Sequence, residues 1–246
     1  MKPPARGILL LTARRHFRRS HALALAVMLA VFALILLSYI RGGNGVAQYL
    51  AFTGSFYHAF LLPLLAFIGG GGAWRDEMKP EAADFFLLRG IPKPLYLALR
   101  YLAHVVCAEI DFLFALALVL AIGAARHVPG IGAAAPVMLL AQVLGVAAYS
   151  AFGFLCAALT ARWVILGLGY GAVVELGLGN LPLAVNRFAM SHQIRALLRP
   201  LTAGPLPGGG LRLWVAAGCL VLGAAGFTAL AALRFSRQEL LGDKTE

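Results

Sequence analysis

Apolar residues in this chain run in long unbroken stretches, without the spaced periodicity of a soluble amphipathic fold. Six stretches stand out: His21–Ile40, Leu50–Gly72, Pro94–Gly123, Ala134–Thr160, Trp163–Leu178 and Leu213–Arg234. About 20 helical residues cross the roughly 30 Å hydrocarbon core of a bilayer. The pattern therefore predicts an all-α integral membrane protein, a single transmembrane domain over 1–246 with six transmembrane helices. The fifth span is the shortest: its apolar run continues for about 16 residues before Asn180-Leu181-Pro182, a rise of about 24 Å. It is expected to stop short and hand over to a partly buried stretch. The runs show no ten-residue polar/apolar alternation, which excludes a transmembrane β-barrel.

Three segments between the spans carry their own patterns. In the approach segment, within 1–20, Leu10, Ala13 and Phe17 share a helical face, with Arg14, Arg15 and Arg18 read as broadly opposite. This predicts an interfacial helix in the inner headgroup layer, its arginines on lipid phosphate; the plainer alternative is a positive-inside retention signal. The basic run followed by an apolar run also has the outline of a signal peptide. The apolar stretch continues through Ile35-Leu36-Leu37 without a clear A-x-A site, which favours an uncleaved signal-anchor.

The loop 74–93 reads Trp-Arg-Asp-Glu-Met-Lys-Pro-Glu-Ala-Ala-Asp-Phe-Phe-Leu-Leu-Arg-Gly-Ile-Pro-Lys. Pro80 suits a first helical turn, Glu81 and Asp84 favour its positive end, and Gly90 and Pro92 end it. A short helix near Glu81–Arg89 results, with Ala82, Phe85, Phe86 and Arg89 on one side. Two adjacent phenylalanines beyond the membrane need a burial partner, either the chain's own helix ends or a groove in a soluble protein. The third segment, 179–212, is expected to be helical around Ala184–Leu198 and to be turned back by Pro200, Pro205, Pro207 and Gly208-Gly209-Gly210. It reads as an outer segment that packs on the membrane surface or re-enters it.

Composition sharpens this picture. The chain is 61% hydrophobic and 13% charged, with mean hydropathy +0.84; soluble domains carry about 25% charged residues. A disordered protein, a disulfide scaffold, a secreted enzyme and a large soluble catalytic domain are excluded. The net charge of +11 takes on topological meaning. With the N-terminus inside, fifteen Lys and Arg fall on the inner side and six on the outer, so both termini are expected in the cytoplasm. No nucleic-acid partner is implied. Cys107, Cys156 and Cys219 lie in apolar segments and read as small core residues.

The chain has no GxxxxGK[ST] loop and no HExxH motif, and Gly54-Ser55 has no dyad context. Gly69-Gly70-Gly71-Gly72 reads as a flexible helix end or a close helix contact, and Gly167-x-x-x-Gly171 as a close-packing motif. Ionisable residues within spans are functional candidates: His58, Arg100, His104, Glu109, Asp111 and Glu175. Arg100, His104 and Asp111 share a stripe, while Glu109 faces away from Asp111, so those two cannot form an acid/base pair within one helix. The stripe is compatible with interhelical hydrogen bonds and an ion pair. His58, His104, Asp111 and Glu175 also leave open an intramembrane redox or proton-handling subunit, through a bis-His haem or a proton relay; an intramembrane hydrolase is the remaining alternative.

Three places resemble the permease subunit of ABC-2 type transporters. The segment Gly71-Gly72-Ala73-Trp74-Arg75-Asp76-Glu77 through Asp84-Phe85-Phe86-Leu87-Leu88-Arg89-Gly90-Ile91-Pro92 resembles that family's first cytoplasmic loop, although Pro80-Glu81-Ala82 replaces its frequent Gly-Thr. Tyr149–Leu178 resembles the fourth and fifth spans with their short inner turn, and Arg234-Phe235-Ser236-Arg237-Gln238-Glu239-Leu240 the usual exit. The resemblance implies a non-enzymatic chain without cofactors, paired with a second permease chain as a homodimer. It also implies two copies of a P-loop ATPase subunit that bind ATP and Mg. It implies an N-terminal elbow helix bearing Arg14, Arg15, Phe17 and Arg18, and a re-entrant outer segment between spans five and six. The coupling helix would meet the ATPase through Glu77, Ala82, Asp84, Phe85, Phe86 and Arg89. Export of a hydrophobic compound, a peptide or a lipid-linked molecule is the expected activity, with a role in metal-enzyme maturation as a variant.

The charge asymmetry yields a topology test. In a background lacking the natural cysteines, Ser236→Cys should resist an impermeant maleimide in intact cells and react only after permeabilisation, whereas Gly130→Cys should react at once. Labelling of the Ser236 position in intact cells would reverse the orientation.

Overall fold

The computed structural model describes residues 7, 10, 12–14, 16–17, 26, 29–30, 32–33, 45–77, 91–177, 189–203 and 209–237. The fold is all-helical, and no strand occurs among the described residues. In chain order the elements are α1 (Gly45–Phe52), a π-helical section π1 (Thr53–Leu61), α2 (Leu62–Glu77), α3 (Lys93–Ala125) and α4 (Ile131–Leu159). There follow α5 (Trp163–Tyr170), a second π-helical section π2 (Gly171–Gly177), α6 (Met190–Ala203) and α7 (Gly209–Ser236). Four stretches are long and apolar enough to cross a membrane: Tyr49–Asp76, Lys93–Ala125, Ile131–Leu159 and Arg212–Ser236. Trp163–Glu175 is apolar but shorter, as the truncated fifth run predicts. Of the first predicted span, 21–40, only residues 26, 29–30 and 32–33 are described, and they are helical.

The second apolar run forms one continuous rod from Gly45 to Glu77, and the widened turns of π1 are set by buried polar side chains. Thr53, Tyr57 and His58 are all buried. The Tyr57 hydroxyl donates to Gln142 Oε1 of α4 at 2.7 Å, with the Phe112 carbonyl of α3 at 3.2 Å. The His58 ring nitrogens lie 3.0 Å from the Thr53 carbonyl and 3.2 Å from the Met138 carbonyl. Polar groups buried between apolar helices must find such partners, and the extra residue per turn of a π section brings three of them to one side.

The glycine run at 69–72 is not a loose helix end. It lies inside α2, where that helix meets α4 backbone to backbone. A Cβ on Gly70 would stand 2.5 Å from the Ser150 carbonyl oxygen, and one on Gly153 would strike the Phe67 carbonyl and the Gly71 amide. Small residues let helices approach in this way where lipid supplies no hydrophobic drive. In Gly167-x-x-x-Gly171 the first glycine makes room for the Phe67 ring, while an added carbon on Gly171 would meet nothing within 4 Å among the described residues.

Helix ends gather in a fixed order. Trp74 of α2 is buried edge-on against Phe235 of α7, with ring centroids 4.9 Å apart, and Lys93 at the start of α3 lies over the same Phe235 ring at 5.8 Å. Trp163, after the turn from α4, packs on Phe67 at 5.3 Å. The end of α2, the start of α3, the α4–α5 turn and the end of α7 therefore share one end of the bundle, with Arg75, Lys93, Arg162, Arg234 and Arg237 among them. The α3–α4 turn, with His127 at φ 54° and Gly130 at φ 74°, lies at the opposite end. A left-handed φ makes Gly130 a poor cysteine position, so Arg126, exposed on the same turn, is the better labelling site. Of the cysteines, Cys107 and Cys156 are buried but Cys219 is exposed on α7, which corrects the reading of all three as core residues.

Gly153→Ala should lower the stability of the solubilised protein by about 1–3 kcal/mol, because neither backbone can yield. Gly72→Ala, with nothing among the described residues within 4 Å of the added carbon, should leave stability unchanged or raise it by up to about 1 kcal/mol through helix propensity. Thermal melts of the two variants against wild type test this pair.

Candidate functional site

The expected coupling residues divide at the edge of the described chain. Glu77 closes α2, whereas Ala82, Asp84, Phe85, Phe86 and Arg89 lie outside the described residues. Both anchors of that loop are firm. Trp74 is buried between Phe235 and Phe154, and Pro94, one residue into α3, suits a helix start.

The stripe on α3 meets the N-terminal helix. His16 Nε2 and Asp111 Oδ2 are 2.7 Å apart, and Arg100 donates to the Thr12 hydroxyl. The His104 ring stands 6.4 Å from that of His16 and 5.9 Å from Phe154; its Nε2 has no hydrogen-bond partner among the described residues. The approach helix thus docks on the bundle through Thr12 and His16. At 100° per residue Thr12 lies opposite Leu10 and Phe17, whereas Arg14 falls within about 60° of both, which corrects the placing of Arg14 on the opposite face. Leu10, Arg14 and Phe17 are exposed; Arg15 and Arg18 lie outside the described residues. Glu109 turns the other way, toward Gln142 Nε2 at 3.3 Å, so the two carboxylates serve separate networks. His58 and His104 also have separate neighbours, as would not suit two axial ligands of one haem.

Glu175 belongs to a third arrangement. It is buried in π2 and receives the backbone amides of Met190 at 3.1 Å and Ser191 at 2.9 Å. These are among the first amides of α6, which have no partner within their own helix, and a carboxylate there complements the helix dipole. Tyr149 of α4 and Tyr170 of α5 also hydrogen-bond to Glu175. One side chain therefore ties together α4, α5 and α6. Beside it lies a cavity of about 400 Å³, walled by Phe60, Pro63, Leu64 and Phe67 on one side, Tyr149 and Phe152 on the second, and Leu168, Tyr170 and Glu175 on the third. Phe60 and Leu168 are more than half exposed and mark its mouth. Its volume lies within the range of small-molecule sites.

Sequence reasoning singled out Glu175 as an intramembrane acid but missed Tyr149, Tyr170 and Gln142. Aromatic and amide residues inside apolar runs carry no signal of their own until their neighbours across helices are known. His16 was legible only as part of a basic approach segment. No protein-family model and no curated protein matches the chain.

Removing the Glu175 carboxylate should loosen α6 before anything else. Glu175→Ala is expected to cost about 1–2 kcal/mol from the lost cap and hydrogen bonds, and Glu175→Gln less, since one acceptor oxygen remains. Hydrogen exchange over 190–203 should accelerate in that order while α3 stays protected. Unchanged exchange in Glu175→Ala would mean that the carboxylate does not hold α6.

Proposed function

We propose that this chain is the membrane-spanning permease subunit of an ABC-2 type transporter, working as an exporter. In this reading the chain crosses the bacterial inner membrane six times, with both termini in the cytoplasm. It pairs with a second copy and is driven by two copies of a separate P-loop ATPase subunit that binds ATP and Mg. The loop sequence Glu77 to Pro92 supports it, as do the four long apolar helices and the shorter apolar helix after α4. In α6, between spans five and six, Ile194, Leu197 and Leu198 are buried and Arg195 and Arg199 exposed, which supports an outer segment folded back on the bundle.

The observation that carries the reading is the course of α2. Its far end leads directly into the proposed coupling loop, while Pro63, Leu64 and Phe67, two to four turns earlier, wall the cavity. Between these points α2 is locked to α4 by backbone contact at Gly70, Gly71 and Gly153. A push on the loop is therefore passed to the cavity wall as a rigid displacement, because close-packed helices shift as units rather than deform. ATP-driven closure of the partner dimer would move the two permease chains between states that differ in access to the cavity.

Phe85→Ala with Phe86→Ala tests the partnership. The double variant should lose about 2–4 kcal/mol of interface energy, in the range of buried aromatic hot spots. Copurification of the ATPase and transport should fall together, with expression and melting temperature near wild type. A destabilised variant that still binds its ATPase would defeat the assignment.

A further inference from the structure

The polar end of the cavity is chemically specific. An ionised carboxylate offers about four acceptor positions. Around Glu175 stand four donors: the Met190 and Ser191 amides and the Tyr149 and Tyr170 hydroxyls. The acid is thus satisfied internally, with no lone pair left to greet a cation. Arg195, on the second turn of α6, is close enough to act electrostatically on Tyr149, so a positive charge is already present. A cation entering here would lose its hydration and gain no free counter-charge, a cost of several kcal/mol.

What the blind end still offers is acceptor capacity. Each tyrosine gives its one hydrogen to Glu175, and the Tyr170 oxygen also meets the Met190 backbone. A phenol oxygen that has given its hydrogen still carries two acceptor lone pairs, and Tyr149 lines the cavity. The remaining lining is almost wholly carbon, and the mouth opens between Phe60 and Leu168, on the outside of apolar helices where a bilayer supplies hydrocarbon. We propose that this cavity binds a neutral lipophile whose one polar group is a hydroxyl, with its alkyl or ring body between Phe67, Phe152 and Leu168 and the hydroxyl donating to Tyr149. As a cargo site it rests on the transport reading; as a binding site it stands on the cavity alone.

The test uses the full chain in lipid nanodiscs and a diazirine-bearing long-chain alcohol as probe, beside the same chain ending in trimethylammonium and the same chain ending in methyl. After photolysis, peptides containing Gly167–Glu175 should carry the alcohol roughly tenfold or more above the ammonium analogue, a gap of about 1.4 kcal/mol or larger. Ala172→Trp, at an exposed wall position, should reduce that labelling several-fold; Leu168→Trp at the mouth serves the same purpose should the first variant melt early. Tyr149→Phe should erase the preference for alcohol over alkane. Equal or stronger labelling by the ammonium chain, labelling spread evenly over α3 and α7, or an alcohol preference that survives Tyr149→Phe would each overturn the proposal. None of these readouts needs an ATPase. Labelling without ATPase copurification would sink the transporter reading and leave the site standing; copurification without labelling would do the opposite.

Discussion

Where α2 crosses α4, Gly70 and Gly71 face Ser150 and Gly153 with no side chain between the two backbones. In a bilayer, helix association gains little from the hydrophobic effect, since lipid tails are as apolar as leucine. Dispersion over a close, complementary surface has to take its place. The approach at these four positions sets how near the helices lie and fixes their relative rotation. Rings then fill the space at either side, with Phe67 on Phe152 and on Trp163, and Trp74 on Phe154 and Phe235. Bulk at Gly153 would separate α2 from α4 and undo both clusters.

The cavity lies beside this crossing. It is a gap lined by Pro63, Leu64 and Phe67 of α2 on one side and Leu168 of α5 on the other. Gly167 admits the Phe67 ring at the inner end of this gap, so the void lies beyond that contact. Glu175 closes it by collecting donors from three helices. A buried carboxylate persists in apolar surroundings only when its acceptor positions are filled, and here the filling also secures the start of α6.

Polar side chains within the spans thus act as fasteners in separate sets. Tyr57, Gln142 and Glu109 join π1 to α4 and α3. His16, Thr12, Arg100 and Asp111 join the N-terminal helix to α3. Hydrogen bonds of this kind are directional, so each set specifies a register that greasy contacts alone would leave loose. Such fasteners also give a moving membrane protein discrete packings to switch between.

Uninterrupted apolar runs were enough to establish an all-helical chain and the approximate places of its four long apolar helices, because a bilayer forces every backbone amide into local hydrogen bonds. The shortness of the fifth run, the opposed directions of Glu109 and Asp111, and the stripe of Arg100, His104 and Asp111 were all legible, since 100° per residue places side chains around a single helix. Tertiary structure alone decided what each stripe meets. Periodicity could not tell that His16 answers Asp111, that Gly153 rather than Gly171 makes a close crossing, or that Glu175 is capped by tyrosines 26 and 5 residues before it in the chain. Those pairings depend on helix rotation and depth, which arise from the packing of one helix surface against another and leave no period in the residues of either.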